Sequence, residues 1–228
     1  MLKNFIKWLE ETNKSKSKYI TVITSNYDYA LEWNLLNWGE AWDVDEIVDY
    51  GFSWRDPILK TGQIHYRPVN STYKIYKLHG SSDWLKCERC GYIYINPTME
   101  MYQLAFVNYK TDANTCHCGY WPLKPVLVTP SFARLVFDTN LHEIWKACLE
   151  QLRTADEWII VGYSLPAEDL NIKSLFLRAL HGRIVKPRIQ IIQNNTSSQS
   201  RYNNFFGVNE MDFNSDRFEK YSLFNMSK

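Results

Sequence analysis

The sequence predicts an α/β domain organised on a mostly parallel sheet and interrupted by a small cysteine-bearing insert. Short β-branched runs alternate with apolar patterns of helical period along most of the chain, which implies right-handed βαβ crossovers. Four of the five cysteines fall in two close pairs, Cys87 with Cys90 and Cys116 with Cys118, within one segment between two of those runs. At 228 residues the chain fits one domain, or one domain with an insert.

Leu2, Phe5, Ile6 and Leu9 recur at helical spacing, so a short amphipathic helix opens the chain. Residues 13–18 are a polar, Lys-rich loop, and residues 19–24 (YITVIT) read as a buried strand with a polar stop at Ser25 and Asn26. Residues 28–38 form a helix marked by Ala30, Leu31, Leu35 and Trp38, whereas residues 40–70 carry no period and are expected to be irregular. Residues 71–78 (STYKIYKL) alternate as a second strand that ends at His79 and Gly80. The insert runs over about 84–124, and residues 125–129 follow as a short strand. Leu141, Ile144, Trp145, Cys148, Leu149 and Leu152 line one face of a helix, with Cys148 as a core residue. Residues 157–162 (EWIIVG) are a strand, and residues 166–181 a helix begun by Pro166 and closed by Gly182. Residues 188–193 (RIQIIQ) are the next strand. The Asn- and Ser-rich tail from Thr196 is expected to pack across the domain without joining the sheet.

Composition narrows the function. Lys plus Arg number 26 against 25 Asp plus Glu, a net charge of +1, which opposes a protein built to coat nucleic acid or an anionic membrane. No apolar run approaches the ~20 residues of a membrane span. Residues 1–12 mix Lys3, Lys7 and Glu10 with apolar residues and lack a signal-peptide core, so the expected compartment is the cytoplasm. None of the nine glycines forms G-x-G-x-x-G or G-x-x-x-x-G-K-S/T.

The C-x-x-C at Cys87 and Cys90 puts two thiolates on one tight turn, and the C-x-C at Cys116 and Cys118 supplies two more. Four thiolates complete the closed tetrahedron of a structural zinc. Gly91 and Gly119 follow the pairs, where such turns need positive φ. A redox C-x-x-C or unrelated buried cysteines are the alternatives, and the double pairing favours zinc. His117 lies between two better ligands and points away.

Three predicted strand ends carry polar groups: Thr24-Ser25-Asn26-Tyr27-Asp28, Lys77-Leu78-His79-Gly80-Ser81 and Gly162-Tyr163-Ser164-Leu165-Pro166. Ligands of doubly wound sheets bind beyond the carboxyl ends of the strands. Taken singly, each group has a bland explanation: a turn-forming Asn, a structural His, an N-capping Asp.

Together these segments resemble the sirtuin-like NAD-consuming domains. T-S-N-Y-D-Y-A-L-E at 24–32 is similar to the sirtuin T-Q-N-I/V-D-x-L, and K-L-H-G at 77–80 to the L-H-G that carries the catalytic histidine. The paired cysteines resemble the family's zinc ribbon. V-G-Y-S-L at 161–165 resembles the G-T/S-S-L strand end that contacts NAD, and I-I-Q-N-N at 191–195 falls where the adenosine ribose is gripped. The resemblance, in family order over about residues 19–195, implies a Rossmann-like parallel sheet with helices on both faces and a small zinc-ribbon insert.

It further implies His79 and Asn26 as catalytic residues. NAD contacts would come from Thr24, Ser25, Asn26, Asp28, Gly162, Ser164 and Asn194, and structural zinc would be held by Cys87, Cys90, Cys116 and Cys118. Two departures matter. The sirtuin G-A-G-x-S phosphate loop has no counterpart, so residues 1–228 are expected to form a single domain lacking its first strand and glycine loop. The NAD phosphates would then meet Ser164, the helix start after Pro166, and Lys77 or Arg134. Where deacylases carry F-G-E, residues 124–132 read KPVLVTPSF. The pattern is closer to bacterial sirtuin-like NAD hydrolases of antiphage defence. The implied activity is release of nicotinamide and ADP-ribose. A protein deacylase and a catalytically incomplete NAD- or partner-binding module are the alternatives, and a homo-oligomer or a defence-system partner is compatible with all three.

Overall fold

The computed structural model describes residues 2–14, 20–38, 48–56, 63–68, 73–95, 102–127, 139–207 and 211–215. Most of the Lys-rich loop at 13–18, Tyr19, residues 128–132 and Arg134 lie outside them. The chain forms two compact units, one of Met1–Trp8 with Cys148–Lys228 and one of Leu9–Ala147.

The Leu9–Ala147 unit holds β1 (Thr21–Thr24), α2 (Ala30–Trp38), β2 (Val48–Asp49), β3 (Trp54–Arg55), β4 (Ile64–His65), β5 (Tyr73–Lys77), β6 (Gly80–Lys86), β7 (Ile93–Ile95) and β8 (Lys124–Leu127). Helix α1 (Leu2–Lys14) precedes β1. Strands β1, β5 and β2 form a parallel sheet in the order β1-β5-β2, with Thr21 opposite Lys74 and Thr24 opposite Lys77. β1 is shorter than the expected 19–24 and half-buried rather than buried. It is an outer strand, with β5 alone beside it among the described residues.

The second sheet is ordered β4-β3-β7-β6-β8, and the strands of the two sheets correct two expectations. The described parts of 40–70 are not irregular throughout: β2, β3 and β4 lie there, each two residues long and so without a period to read. β6 begins at Gly80, where the sequence suggested only a strand's end. Its pairing with β8 shifts register between Ser81 and Leu85, and that bulge erases the alternation a strand would show. Gly80 has φ +82°, and a Cβ there would stand 1.8 Å from the carbonyl oxygen of Val126 on β8.

In the other unit, β9 (Glu157–Val161), α4 (Leu170–Leu180), β10 (Arg188–Ile192), α5 (Gln199–Phe206) and β11 (Asp212–Asn214) succeed one another. They build a parallel sheet in the order β11-β10-β9. The tail therefore does add a strand, contrary to its composition. Phe213 sits opposite Ile191, and the amide of Gln193 donates to Asn214 O at 3.0 Å. Backbone pairing across 22 residues imposes extension on a three-residue stretch with little propensity for it. Phe5 and Trp8 of α1 pack against Ile192 and Ile159.

The helix α3 (Thr139–Thr154) buries Leu141, Ile144, Cys148, Leu149 and Leu152, the stripe its periodicity predicts. α4 starts at Leu170, not at Pro166, because the Asp169 carboxylate caps it by accepting from the amide of Ile172 at 3.2 Å. Among the described residues no helix is long and apolar enough to cross a membrane. The architecture is thus mixed α/β with parallel strands, as the alternating pattern predicts.

Candidate functional site

The four predicted zinc ligands converge. The sulfurs of Cys87, Cys90, Cys116 and Cys118 all lie within 4.8 Å of one another, with Cys87–Cys118 at 3.7 Å and Cys90–Cys116 at 3.4 Å. Four thiolates bound to one zinc at about 2.3 Å stand about 3.8 Å apart, so the cluster fits the metal. All five cysteines are free thiols.

Two near-equivalent turns build it. The amide of Gly91 donates to Cys87 O at 2.9 Å and that of Gly119 to Cys116 O at 2.8 Å, with φ +78° and +81° at the two glycines. The amides of Cys90 and Cys118 point at the first sulfur of each pair, each at 3.5 Å. Leu85, Tyr94 and Leu123 pack around Cys87 and Cys116 in a buried cluster. Burial pushes the Cys87 and Cys116 thiols up, while hydrogen bonding by the Tyr120 backbone holds Cys118 down, to about 7. His117 is not one of the four converging groups, but it does not point away: its Nδ1 pairs with the Tyr94 hydroxyl at 2.6 Å and stands 3.5 Å from Cys116 Sγ.

The end of β1 and the end of β5 form one polar edge, because parallel neighbours finish side by side. Beyond the ladder, the amide of Leu78 donates to Thr24 O at 2.9 Å and the amide of Ser82 to Tyr27 O at 2.8 Å. The Ser81 hydroxyl also donates to Tyr27 O, at 3.1 Å. Thr24 Oγ1 accepts from the amide of Asn26 at 3.0 Å, and Asp28 Oδ1 from the amide of Ala30 at 3.1 Å. Asp28 thus caps α2, which begins two residues later than its apolar pattern suggests. Asn26 and Asp28 are exposed and Ser25 is half-buried. His79 is buried, with its ring 6.2 Å from that of Tyr27 and 6.3 Å from that of Trp145. Trp145 Nε1 donates to Leu78 O at 2.9 Å, which braces the histidine's own turn.

Beneath this edge lies a charge cluster that sequence reasoning missed. Lys77 does not face a phosphate. It is 1% exposed, and its Nζ donates to Glu32 Oε1 at 2.7 Å and to Asp28 O at 2.6 Å. Asp83 on β6 is fully buried within reach of the same charge. Burial pushes the Glu32 carboxyl up to about 7, Lys77 pulls against that, and Asp83 adds to it. A lysine at a strand end reads as a free cation until its partner, 45 positions away, is known.

The other unit collects the remaining predicted residues at the carboxyl edge of its own sheet. The amide of Gly162 donates to Ile192 O at 2.9 Å, so β9 and β10 end together. Gly162 has φ +67° and Leu165 φ +51°, an unusual conformation for a branched residue. Arg201 Nε holds Ser164 O at 2.8 Å, the Tyr202 hydroxyl holds Tyr163 O at 2.6 Å, and the Tyr163 hydroxyl donates to Asp169 at 2.7 Å. Gly162 and Asn194 are exposed and Ser164 is half-buried.

No protein family and no curated protein matches the chain. Solved structures do. One comes from work on the structural basis of sirtuin substrate affinity (16% identity, 85% of this chain, 59% of that one, TM-score 0.41). Another is Sir2 in complex with the inhibitor EX-527, 2'-O-acetyl-ADP-ribose and a deacetylated p53 peptide (17%, 86%, 60%, 0.40). A third comes from work on the mechanism and regulation of Sir2 enzymes (16%, 92%, 61%, 0.43). The chain spans about three-fifths of the length of each.

Proposed function

We propose that this chain hydrolyses NAD, releasing nicotinamide and ADP-ribose, in the setting of antiphage defence. The observation that supports it is the pairing of two strand ends: the Asn26 loop and the His79 turn are joined by hydrogen bonds on both sides of Asn26. The bond to be broken joins nicotinamide to ribose and passes through an oxocarbenium-like state. Nicotinamide leaves as a neutral molecule from a cationic precursor, so the leaving group needs no general acid. Water adds to the anomeric carbon and one proton is lost. Asn26 positions that water, and His79 takes the proton from it or from a ribose hydroxyl. Asp28, whose carboxylate caps α2, keeps the loop in shape. Thr24 and Ser25 border the same edge, and Gly162, Ser164 and Asn194 are the contacts assigned to NAD in the other unit. Cys87, Cys90, Cys116 and Cys118 would hold a structural zinc, which supplies folding energy and no chemical step.

The test is incubation with NAD and separation of the products. Nicotinamide with ADP-ribose upholds the proposal. Acyl-ADP-ribose, formed only when an acylated peptide is added, replaces it with a deacylase, and the absence of any nicotinamide release overturns it.

A further inference from the structure

Lysine is among the residues least often fully buried, because its charge loses water and its long side chain loses rotamer freedom. Lys77 is nonetheless 1% exposed, as is its partner Glu32. Its location explains what the burial achieves. The backbone ladder holds β1 to β5 only as far as Thr24 and Lys77. Past that point the chain leaves the sheet; besides the local turns at Asn26 and Ala30, its carbonyls are held from around His79. The Tyr27 carbonyl is held by Ser81 and Ser82. The Asp28 carbonyl is held by Lys77 Nζ at 2.6 Å. The same ammonium takes Glu32 at 2.7 Å, in the first turn of α2, so a single charged group grips both the loop and the helix that follows it. Asn26, exposed at the crest, is thereby held from both ends.

We propose that Lys77 is a positioning residue: it fixes loop 25–29 on the end of β5 and so sets Asn26 relative to His79. This rests on the NAD-hydrolase reading for its kinetic consequence, while its mechanical consequence stands apart from it. The alternative is a buried ion pair that serves stability alone. The two differ in what happens when Lys77 and Glu32 are neutralised together, which avoids stranding the Glu32 carboxylate in the interior.

The experiment uses the full chain carrying Lys77→Met/Glu32→Gln, with Glu32→Gln alone as the variant that keeps the lysine on the Asp28 carbonyl. Lys77→Met by itself strands a buried carboxylate and is not used. The double variant still leaves the Asp83 carboxyl buried beside the missing ammonium, so it is expected to melt below the parent. Kinetics and exchange are compared at a temperature where both proteins remain folded. The double variant should lose about 10²-fold in kcat with little change in KM, the scale of effect expected when a reacting group is displaced by about 1 Å. Glu32→Gln alone should keep most of kcat. Amide hydrogen exchange should rise about tenfold or more at residues 27–30 of the double variant while β5 and β6 stay protected. Parental kcat together with parental exchange in the double variant would overturn the positioning role. If the parent itself releases no nicotinamide, the functional reading fails and the exchange arm decides alone. Faster exchange confined to residues 27–30 upholds the role of Lys77, and unchanged exchange rejects it.

Discussion

The cysteine cluster and the polar strand edges are assembled on opposite plans. Each cysteine pair is a self-contained turn, closed by its own glycine and its own amide-to-sulfur contacts, and the two turns need only be brought together. The strand edges have no such local unit. Asn26 and His79 are set by hydrogen bonds from Leu78, Ser81, Ser82 and Lys77, while Gly162 and Ser164 are set by an unrelated group of partners in the other unit. A centre built from local turns tolerates little change in its ligands and much around them. A centre built from strand ends depends on residues that never touch its substrate.

The largest expected effect therefore falls on the ligands. The purified protein should carry about one zinc per chain, and Cys87→Ser or Cys116→Ser should lose it. Loss of a structural metal removes several kcal/mol, so the melting temperature should drop by about 10 °C or more. Elemental analysis and a thermal melt check both statements, and metal-free protein purified without chelator would break the comparison at its first term.

At the strand edge the effect should be catalytic before it is structural. Asn26→Ala should remove about 10² to 10⁴ of NAD turnover while leaving the melt unchanged, because Asn26 is exposed. His79→Ala should lose as much turnover and also some stability, because its ring is buried between Tyr27 and Trp145. Steady-state kinetics beside melting curves separate the two.

Gly80→Ala tests how closely the histidine's turn is packed. A Cβ would meet the Val126 carbonyl at 1.8 Å on a backbone already at φ +82°, and both carbonyl and turn belong to the sheet. Overpacking and left-handed strain each cost about 1 to 3 kcal/mol, so denaturant titration should show a loss of about that order or larger. The matching substitution at Gly119, Gly119→Ala, meets nothing within 4 Å and should cost only the strain of φ +81°.

The smallest effect is a slope. Glu32 sits near pH 7 in the folded protein against 4.5 in the open chain, because burial outweighs the attraction of Lys77. A raised carboxyl pKa means the folded state binds the proton more tightly. Its contribution is complete below about pH 4.5 and is lost as pH rises through about 7. Melting temperatures measured from pH 4.5 to 8 should fall more steeply for the parent than for Glu32→Gln. Parallel curves would show that the cluster's proton is held elsewhere.

How much of this was legible before folding depended on the range of the interaction. The helix stripe of α3 and the two cysteine turns were readable because their partners lie within a few residues. The polar strand ends could be named because strands finish where β-branched runs stop. Lys77 was misread, the strand β11 was missed, and β6 was taken for an end and not a beginning. Each of those depends on a partner far along the chain: Glu32 for the lysine, β10 for the tail, Val126 for Gly80.

By itself, then, the sequence determined the α/β alternation, the helical face of α3, the four-thiol centre and the polar character of the strand ends, all properties of periodicity or of residues close in the chain. The tertiary structure alone decided which strands are neighbours, that Lys77 is sealed beneath the Asn26 loop, and that a glycine must follow His79. Those outcomes are set by backbone pairing and by charges that find each other only when distant segments are desolvated together, and no local pattern records them.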